Sequence, residues 1–316
     1  MAAESEHWSR QKEVVKTNRP IAFLAFLVKY VPFPFLSFCT FFVSFFYYVC
    51  ARKARMYCRL YQKQLCAYVG KKHTRVHTFA QIYSFSLSIV EKVSAWSEKI
   101  HLESIEFQDD DVVDLKKVLG QGKGAYILAS HLGNSELLRC LATLHETGVD
   151  RSIPVTAIMD MNASEFNKTV KKINPDSAVH LVNSADIGIE TIEELQDSVH
   201  NGGLVVIGAD RTSPKAPDRT LSCDFLGKQA QYPYGAFLLA FLLEAPVYFV
   251  FALRKKTVMF RPKYAMYVQK AKTPLVATRR ERMERMKDLC GEFVKIMQKL
   301  CILYPYQWYN FYNYWQ

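Results

Sequence analysis

Ile127-Leu128-Ala129-Ser130-His131-Leu132-Gly133-Asn134-Ser135-Glu136 joins an apolar run to a histidine, a Gly-Asn turn and a glutamate. On one unbroken helix His131 and Glu136 would point about 140° apart, because each residue turns a helix by about 100°. They meet only if the chain reverses between them, and Gly133 and Asn134 permit a reversal. The apolar run therefore reads as a strand ending on His131. A histidine oriented by a carboxylate is a general base, so the segment points to an enzyme with His131 as base and Glu136 as its orienting carboxylate. A helix beginning after the turn would add free backbone N–H groups nearby.

From about residue 102 onward, strand-like and helix-like runs alternate. Ala125–Ser130, Ile153–Met159, Ala178–Val182, Leu204–Ile207 and Val247–Leu253 have strand character. Helical segments are expected at about 134–147, 162–173, 186–200, 234–243 and 275–302, and this alternation predicts an α/β layer architecture. A second motif stands in Leu204-Val205-Val206-Ile207-Gly208-Ala209-Asp210-Arg211, where an apolar strand ends in an acid and a base. Ligands of open α/β sheets gather beyond the carboxyl ends of the strands, so His131 and Asp210 are expected to face one cleft. The segment after Arg211, through Pro214, Pro217 and Arg219 to Phe225-Leu226-Gly227, reads as a loop. Tyr232-Pro233-Tyr234-Gly235 then opens a helix.

The N-terminal part differs in kind. Tyr30 to Ala51 is 22 residues without a charge and carries Phe35, Phe38, Phe41, Phe42, Phe45 and Phe46, with Arg52, Lys53 and Arg55 closing it. A helix from Phe35 to Ala51 reaches roughly 25 Å, against a bilayer core of about 30 Å, which fits a spanning, a re-entrant or an interfacial helix alike. Aromatic residues all round it argue against a buried core helix. Basic residues at both ends leave the orientation open. The following basic and aromatic segment suits a juxtamembrane helix, and residues 76–99 read as helical. Two units result: a membrane-anchoring region over 1–75 and a catalytic α/β domain over 76–316.

The chain of 316 residues carries 41 basic and 30 acidic residues, a net charge of +11, and half of it is hydrophobic. Such a chain is not disordered, and the charge favours an anionic partner. Nucleic acid is not expected, since no binding motif appears. The eight cysteines form no C-x-x-C pair, so a metal site is not expected. No G-x-S-x-G elbow is present, which argues against a serine hydrolase. Trp308 and Trp315, with tyrosines around them, suit a membrane interface or packing against the domain.

Taken together, strand-His-x4-Glu, strand-Ala-Asp-Arg, Phe-Leu-Gly and the aromatic-Pro-x-Gly helix start resemble the lysophospholipid acyltransferase superfamily. Within it the likeness is to the bacterial lipid A biosynthesis (lauroyl/myristoyl) acyltransferase branch. The resemblance implies a glycerol-phosphate acyltransferase-like fold, a mixed central sheet flanked by helices, with an N-terminal membrane helix. It implies a transferase of lipopolysaccharide synthesis at the inner membrane, its catalytic domain facing the cytoplasm. That enzyme takes a fatty acyl chain from acyl carrier protein and places it on a hydroxyl of a membrane lipid such as a lipid A precursor, with no metal or bound cofactor. His131 and Glu136 would be catalytic, and Asp210, Arg211, Asn134 and Arg219 would bind substrate. One departure bears on the acceptor: the arginine that many members carry after the catalytic helix is missing from Ile153–Asn167, with Lys168, Lys171 and Lys172 the next cations along the chain. Lysine does not reproduce bidentate phosphate binding, and the aromatic tail resembles a sub-branch acting on polyene or other lipids. A non-catalytic anionic-lipid-binding protein and a thioesterase-like hydrolase are the competing readings.

Overall fold

In the computed structural model, residues 19–97, 100, 102–138, 149, 151, 153–159, 179–212, 216, 218–255 and 262–315 are described. The expected helices at 162–173 and over most of 134–147, and Lys168, Lys171 and Lys172, lie outside them. The centre of the fold is a seven-stranded sheet in the order β1-β9-β8-β2-β5-β3-β4. Its strands are β1 (Ile105–Phe107), β2 (Ala125–Ala129), β3 (Val155–Met159), β4 (Val179–Asn183), β5 (Leu204–Gly208), β8 (Val247–Arg254) and β9 (Tyr264–Lys270). All neighbours run parallel except β8 and β9. This is the mixed α/β architecture that the alternating pattern predicts.

Strands β2 and β8 lie at the middle because their sequences are apolar on both sides, as a sheet covered on two faces requires. Tyr126, Leu128, Phe249, Phe251 and Leu253 enter one core. Their alternates Ala125, Ile127, Tyr248, Val250 and Ala252 enter the other. The first core is closed by α7 (Tyr234–Leu242) and α8 (Arg282–Leu303). Toward the second lie β1, β9 and α5 (Asp111–Gly120), while α6 (Ile189–His200) leads into β5.

The stretch read as a loop after Arg219 is instead a β-hairpin, β6 (Thr220–Phe225) and β7 (Lys228–Pro233). Its two-residue turn places both Leu226 (φ 55°) and Gly227 (φ 76°) in the left-handed region, which such turns demand. Leucine is a poor residue for that conformation. Here its backbone is held on both sides, the N–H by Gln298 Oε1 at 2.6 Å and the carbonyl by Gln64 Nε2 at 2.6 Å.

Four helices precede the sheet: α1 (Arg19–Tyr30), α2 (Phe33–Cys50), α3 (Arg52–Tyr68) and α4 (Arg75–Trp96). The apolar helix α2 starts two residues before the expected point, with Pro34 in its first turn, where a missing N–H costs nothing. Its 18 residues are long and apolar enough to cross a membrane, and Phe35, Phe38, Phe42, Phe45 and Phe46 are exposed. Contacts between α2 and α4 step in opposite directions, from Ser37 on Tyr83 to Phe45 and Tyr48 on Phe79.

Helix α4 is fixed to the sheet by a buried ion pair, Glu91 with Arg254 at 2.8 Å, and Arg254 also donates to Ser84 Oγ at 2.7 Å. Burial pushes the Glu91 pKa up against the pull of Arg254. Truncating one member of such a pair leaves the other charge buried and alone, at a cost of about 3–5 kcal/mol. Glu91→Ala is therefore expected to lower the Tm by roughly 6–10 °C, measured by thermal unfolding in detergent. An unchanged Tm would mean that Arg254 finds another partner.

Candidate active site

The site grows from the register between two parallel strands. Ala125 pairs with Leu204 and Ala129 with Gly208, so the residues two steps past each strand end, His131 and Asp210, come out side by side. Asp210 Oδ1 lies 2.8 Å from His131 Nδ1, and Oδ2 accepts the backbone N–H of His131 at 3.0 Å. Trp308 Nε1 donates to the same Oδ2 at 3.2 Å. The sequence expectation gave the orienting role to Glu136. Nδ1 of the ring is held by Asp210, which strand register brings alongside it.

Asp210 is 2% exposed. Burial alone would raise its pKa, but the neighbouring His131 and Arg211 and the hydrogen bonds from His131 bring it below the ordinary carboxylate value. An ionised carboxylate only accepts, so Nδ1 carries the proton and Nε2 carries the lone pair. Among the described residues nothing bonds Nε2, and the His131 side chain keeps 42% of its surface open. Burial first, then the charge of Arg211 and more weakly that of Lys92, hold the imidazole pKa below its usual value against the pull of Asp210. The geometry is that of an oriented base.

The reversal after His131 depends on Gly133, at φ +81°; a Cβ there would stand 2.0 Å from the carbonyl oxygen of Ala252. Leu132 N–H donates to Ser130 Oγ, Gly133 N–H to the Gln307 carbonyl, Asn134 N–H to the Ala252 carbonyl and Glu136 N–H to Asn134 Oδ1. Most backbone donors expected to be free at this helix start are thus already engaged.

Asn134 is buried and caps the turn; its Nδ2 has no partner among the described residues. Glu136 is buried, and its charge favours the ammonium form of Lys92, which burial and Arg211 disfavour. Arg211 donates from Nη2 to the Tyr309 carbonyl at 3.0 Å. Arg219 is exposed at the base of the hairpin, and its backbone bonds Ala216 and Tyr234. The structure thus gathers His131, Asp210, Arg211, Asn134 and Glu136, while no described contact ties the Arg219 side chain to them. Among the described residues no three His, Cys, Asp or Glu side chains converge as metal ligands do.

Two contributors escaped the sequence reading. Lys92 comes from α4 and bears no motif. Trp308 belongs to the C-terminal tail, which packs against the domain: it pairs with Leu132 as an antiparallel bridge and touches Tyr61, Phe225 and Tyr314 edge-on. Its only sequence signal was the aromatic density of residues 304–315.

A mostly parallel sheet with a histidine and a buried carboxylate paired at adjacent strand ends defines an α/β chain with its candidate site at those ends. Residues 20–315 match the family described as bacterial lipid A biosynthesis acyltransferase, and the chain belongs to that family. No curated protein matches it. Membership supports an enzyme that transfers acyl groups to a lipid acceptor.

Lys92 and Arg211 both disfavour a charged His131, so removing one cation should raise the imidazole pKa. Lys92→Met is expected to move the acid limb of the pH profile upward, since the base must then shed its proton at higher pH. NMR titration of the His131 ring checks this, and a limb that stays put or moves downward would contradict it.

Proposed function

We propose that the protein is a membrane-bound O-acyltransferase that moves a fatty acyl chain from a thioester on acyl carrier protein to a hydroxyl of a lipid acceptor, a lipid A precursor being the nearest match. The observation that carries this reading is the Asp210–His131 pair, with no bond to Nε2 among the described residues, in a chain of this family. His131 Nε2 takes the proton of the acceptor hydroxyl as its oxygen attacks the thioester carbonyl carbon. The tetrahedral intermediate collapses with cleavage of the C–S bond, and the imidazolium returns its proton to the departing sulfur. The products are an ester and a free thiol. Asp210 steadies the imidazolium while it exists.

Because the nearby backbone N–H groups are mostly engaged, the developing oxyanion falls to cationic groups in this scheme, Arg211 and Lys92 being the two whose charges are felt at His131. Glu136 acts in this scheme by holding Lys92 ionised. Asn134 and Arg211 are assigned to the acceptor in this scheme, and Arg219 would meet only a substrate extending to the hairpin. Support for a membrane setting comes from α2, whose phenylalanines are exposed; the resemblance favours the inner membrane with the site on the cytoplasmic side. The aromatic tail leaves a different lipid, such as a polyene, as the alternative acceptor.

The test is acyl transfer from acyl carrier protein in a membrane fraction, with lipid mass spectrometry to name the acceptor. His131→Ala and Asp210→Ala are each expected to lower kcat by about 10²–10⁴-fold, the usual worth of a positioned base, and Glu136→Ala by less. Full activity of His131→Ala would sink the mechanism. Free fatty acid without acylated lipid would mark a hydrolase instead.

A further inference from the structure

Between Val14 and Val90 lie eleven of the 41 basic residues and none of the 30 acidic ones. The rest of the chain is balanced at thirty to thirty, so this one segment holds the entire net charge of +11. Eight of its cations fall between Arg52 and Arg75, directly after the uncharged apolar helix.

The fold gathers them on one side. Helix α3 buries Ala54, Cys58, Tyr61, Gln62, Leu65 and Cys66 against the domain, which leaves Arg52, Lys53, Arg59 and Lys63 exposed on its other side. Lys71, Lys72 and Arg75 are exposed in the turn that leads into α4. That turn lies beside α3: after burial and His77, the charges of Arg59 and Lys63 lower the pKa of His73. Exposed Met56, Leu60, Tyr68 and Val76 are interleaved with the cations.

This ledge stands at one end of α2. A single residue, Ala51, separates the two helices. Arg55 donates to the carbonyls of Val49 (2.9 Å) and Tyr48, the last turn of α2, and lies over the Tyr48 ring. An exposed apolar helix therefore ends on a cationic shelf.

We propose that α3 and the turn at 69–75 bind the phosphate headgroups of anionic phospholipids while α2 takes up their acyl chains. A bilayer surface satisfies both halves at once, since it offers hydrocarbon beside negative charge. An acidic protein on the same cations would leave the phenylalanines of α2 in water, a large exposed apolar patch. The ledge rests on the membrane setting proposed above but adds a lipid preference to it. Each cation near an anionic surface is worth about a fivefold gain in partitioning at low salt. Four of them would supply up to several hundredfold.

The test uses the full-length protein in neutral detergent micelles, with equimolar phosphatidylglycerol and phosphatidylcholine added and adducts counted by native mass spectrometry. Phosphatidylglycerol is expected to be retained at least tenfold over phosphatidylcholine, the preference fading as salt shortens the Debye length. The combined variant Arg52→Gln, Arg59→Gln, Lys63→Gln and Lys72→Gln should lose the preference. A matched variant exchanging Arg and Lys at these positions should keep it, which separates charge from folding. Equal retention of both lipids by the wild type, or an undiminished preference in the glutamine variant, overturns the proposal. So does displacement of phosphatidylglycerol by acyl carrier protein cross-linked to α3, which would make the ledge a protein dock. Acyl transfer in the same micelles reads the catalytic proposal separately. A wild type that transfers nothing yet prefers phosphatidylglycerol overturns the enzyme reading and leaves the ledge standing.

Discussion

The carboxylate of Asp210 is the point on which the site is built. It is buried, and a buried charge is tolerated only when its oxygens are paired. Three donors meet that demand: the backbone and ring of His131 and the indole of Trp308. Hydrogen bonds to a charged group are each worth about 1.5–3 kcal/mol, so the ends of β2 and β5 and the C-terminal tail are drawn to one atom pair. The same contacts set the chemistry of the base, because an acceptor at Nδ1 forces the lone pair onto Nε2. Folding and tautomer choice are here one constraint.

The parts of this arrangement that follow from local pattern were legible in the sequence. The apolar runs at Ala125 and Leu204 marked two strands, and His131 and Asp210 each stood out at a strand end. One shared cleft was expected for these two groups; what was not legible was the direct bond between them. The spacing from His131 to Glu136 is local and visible, whereas the pairing with Asp210 spans 79 residues and depends on register. Lys92 reaches the site from a helix 39 positions earlier, and no spacing rule connects it to His131. The β6–β7 hairpin was missed for a related reason. Its turn uses Leu226 at positive φ rather than an Asn-Gly pair, and the energy for that strain comes from Gln64 and Gln298 on distant helices. Strand β1 is only three residues long, too short to carry a period.

Electrostatic balance at the base is a matter of opposing neighbours. Asp210 favours the imidazolium, while burial, Arg211 and Lys92 disfavour it. Glu136 bears on Lys92, favouring its ammonium form. Cations that add to burial in lowering the imidazole pKa, and that in the proposed reaction would meet the oxyanion, would do two tasks with one set of charges. In the proposed reaction the imidazolium is short-lived, so cations that discourage it at rest cost little, and they gain value as the negative oxygen develops.

The tail makes the helical layer and the base a single hydrogen-bonded unit. Gln62 of α3 and Gln81 of α4 donate to the carbonyls of Pro305 and Trp308. Gln307 bonds both the N–H and the carbonyl of Arg254, at 2.8 and 2.6 Å. Tyr309 takes the His131 carbonyl with its N–H and reaches Ser84 of α4 with its hydroxyl. Each link joins a helix beside α2 to the strand ends that carry the chemistry. A displacement of α3 or α4 by the thickness of one side chain would have to break a buried hydrogen bond or move Trp308 off Asp210. The surface proposed to meet lipid and the nitrogen proposed to take a proton from it are therefore tied through one set of buried hydrogen bonds, as alignment of a hydroxyl against a thioester would require.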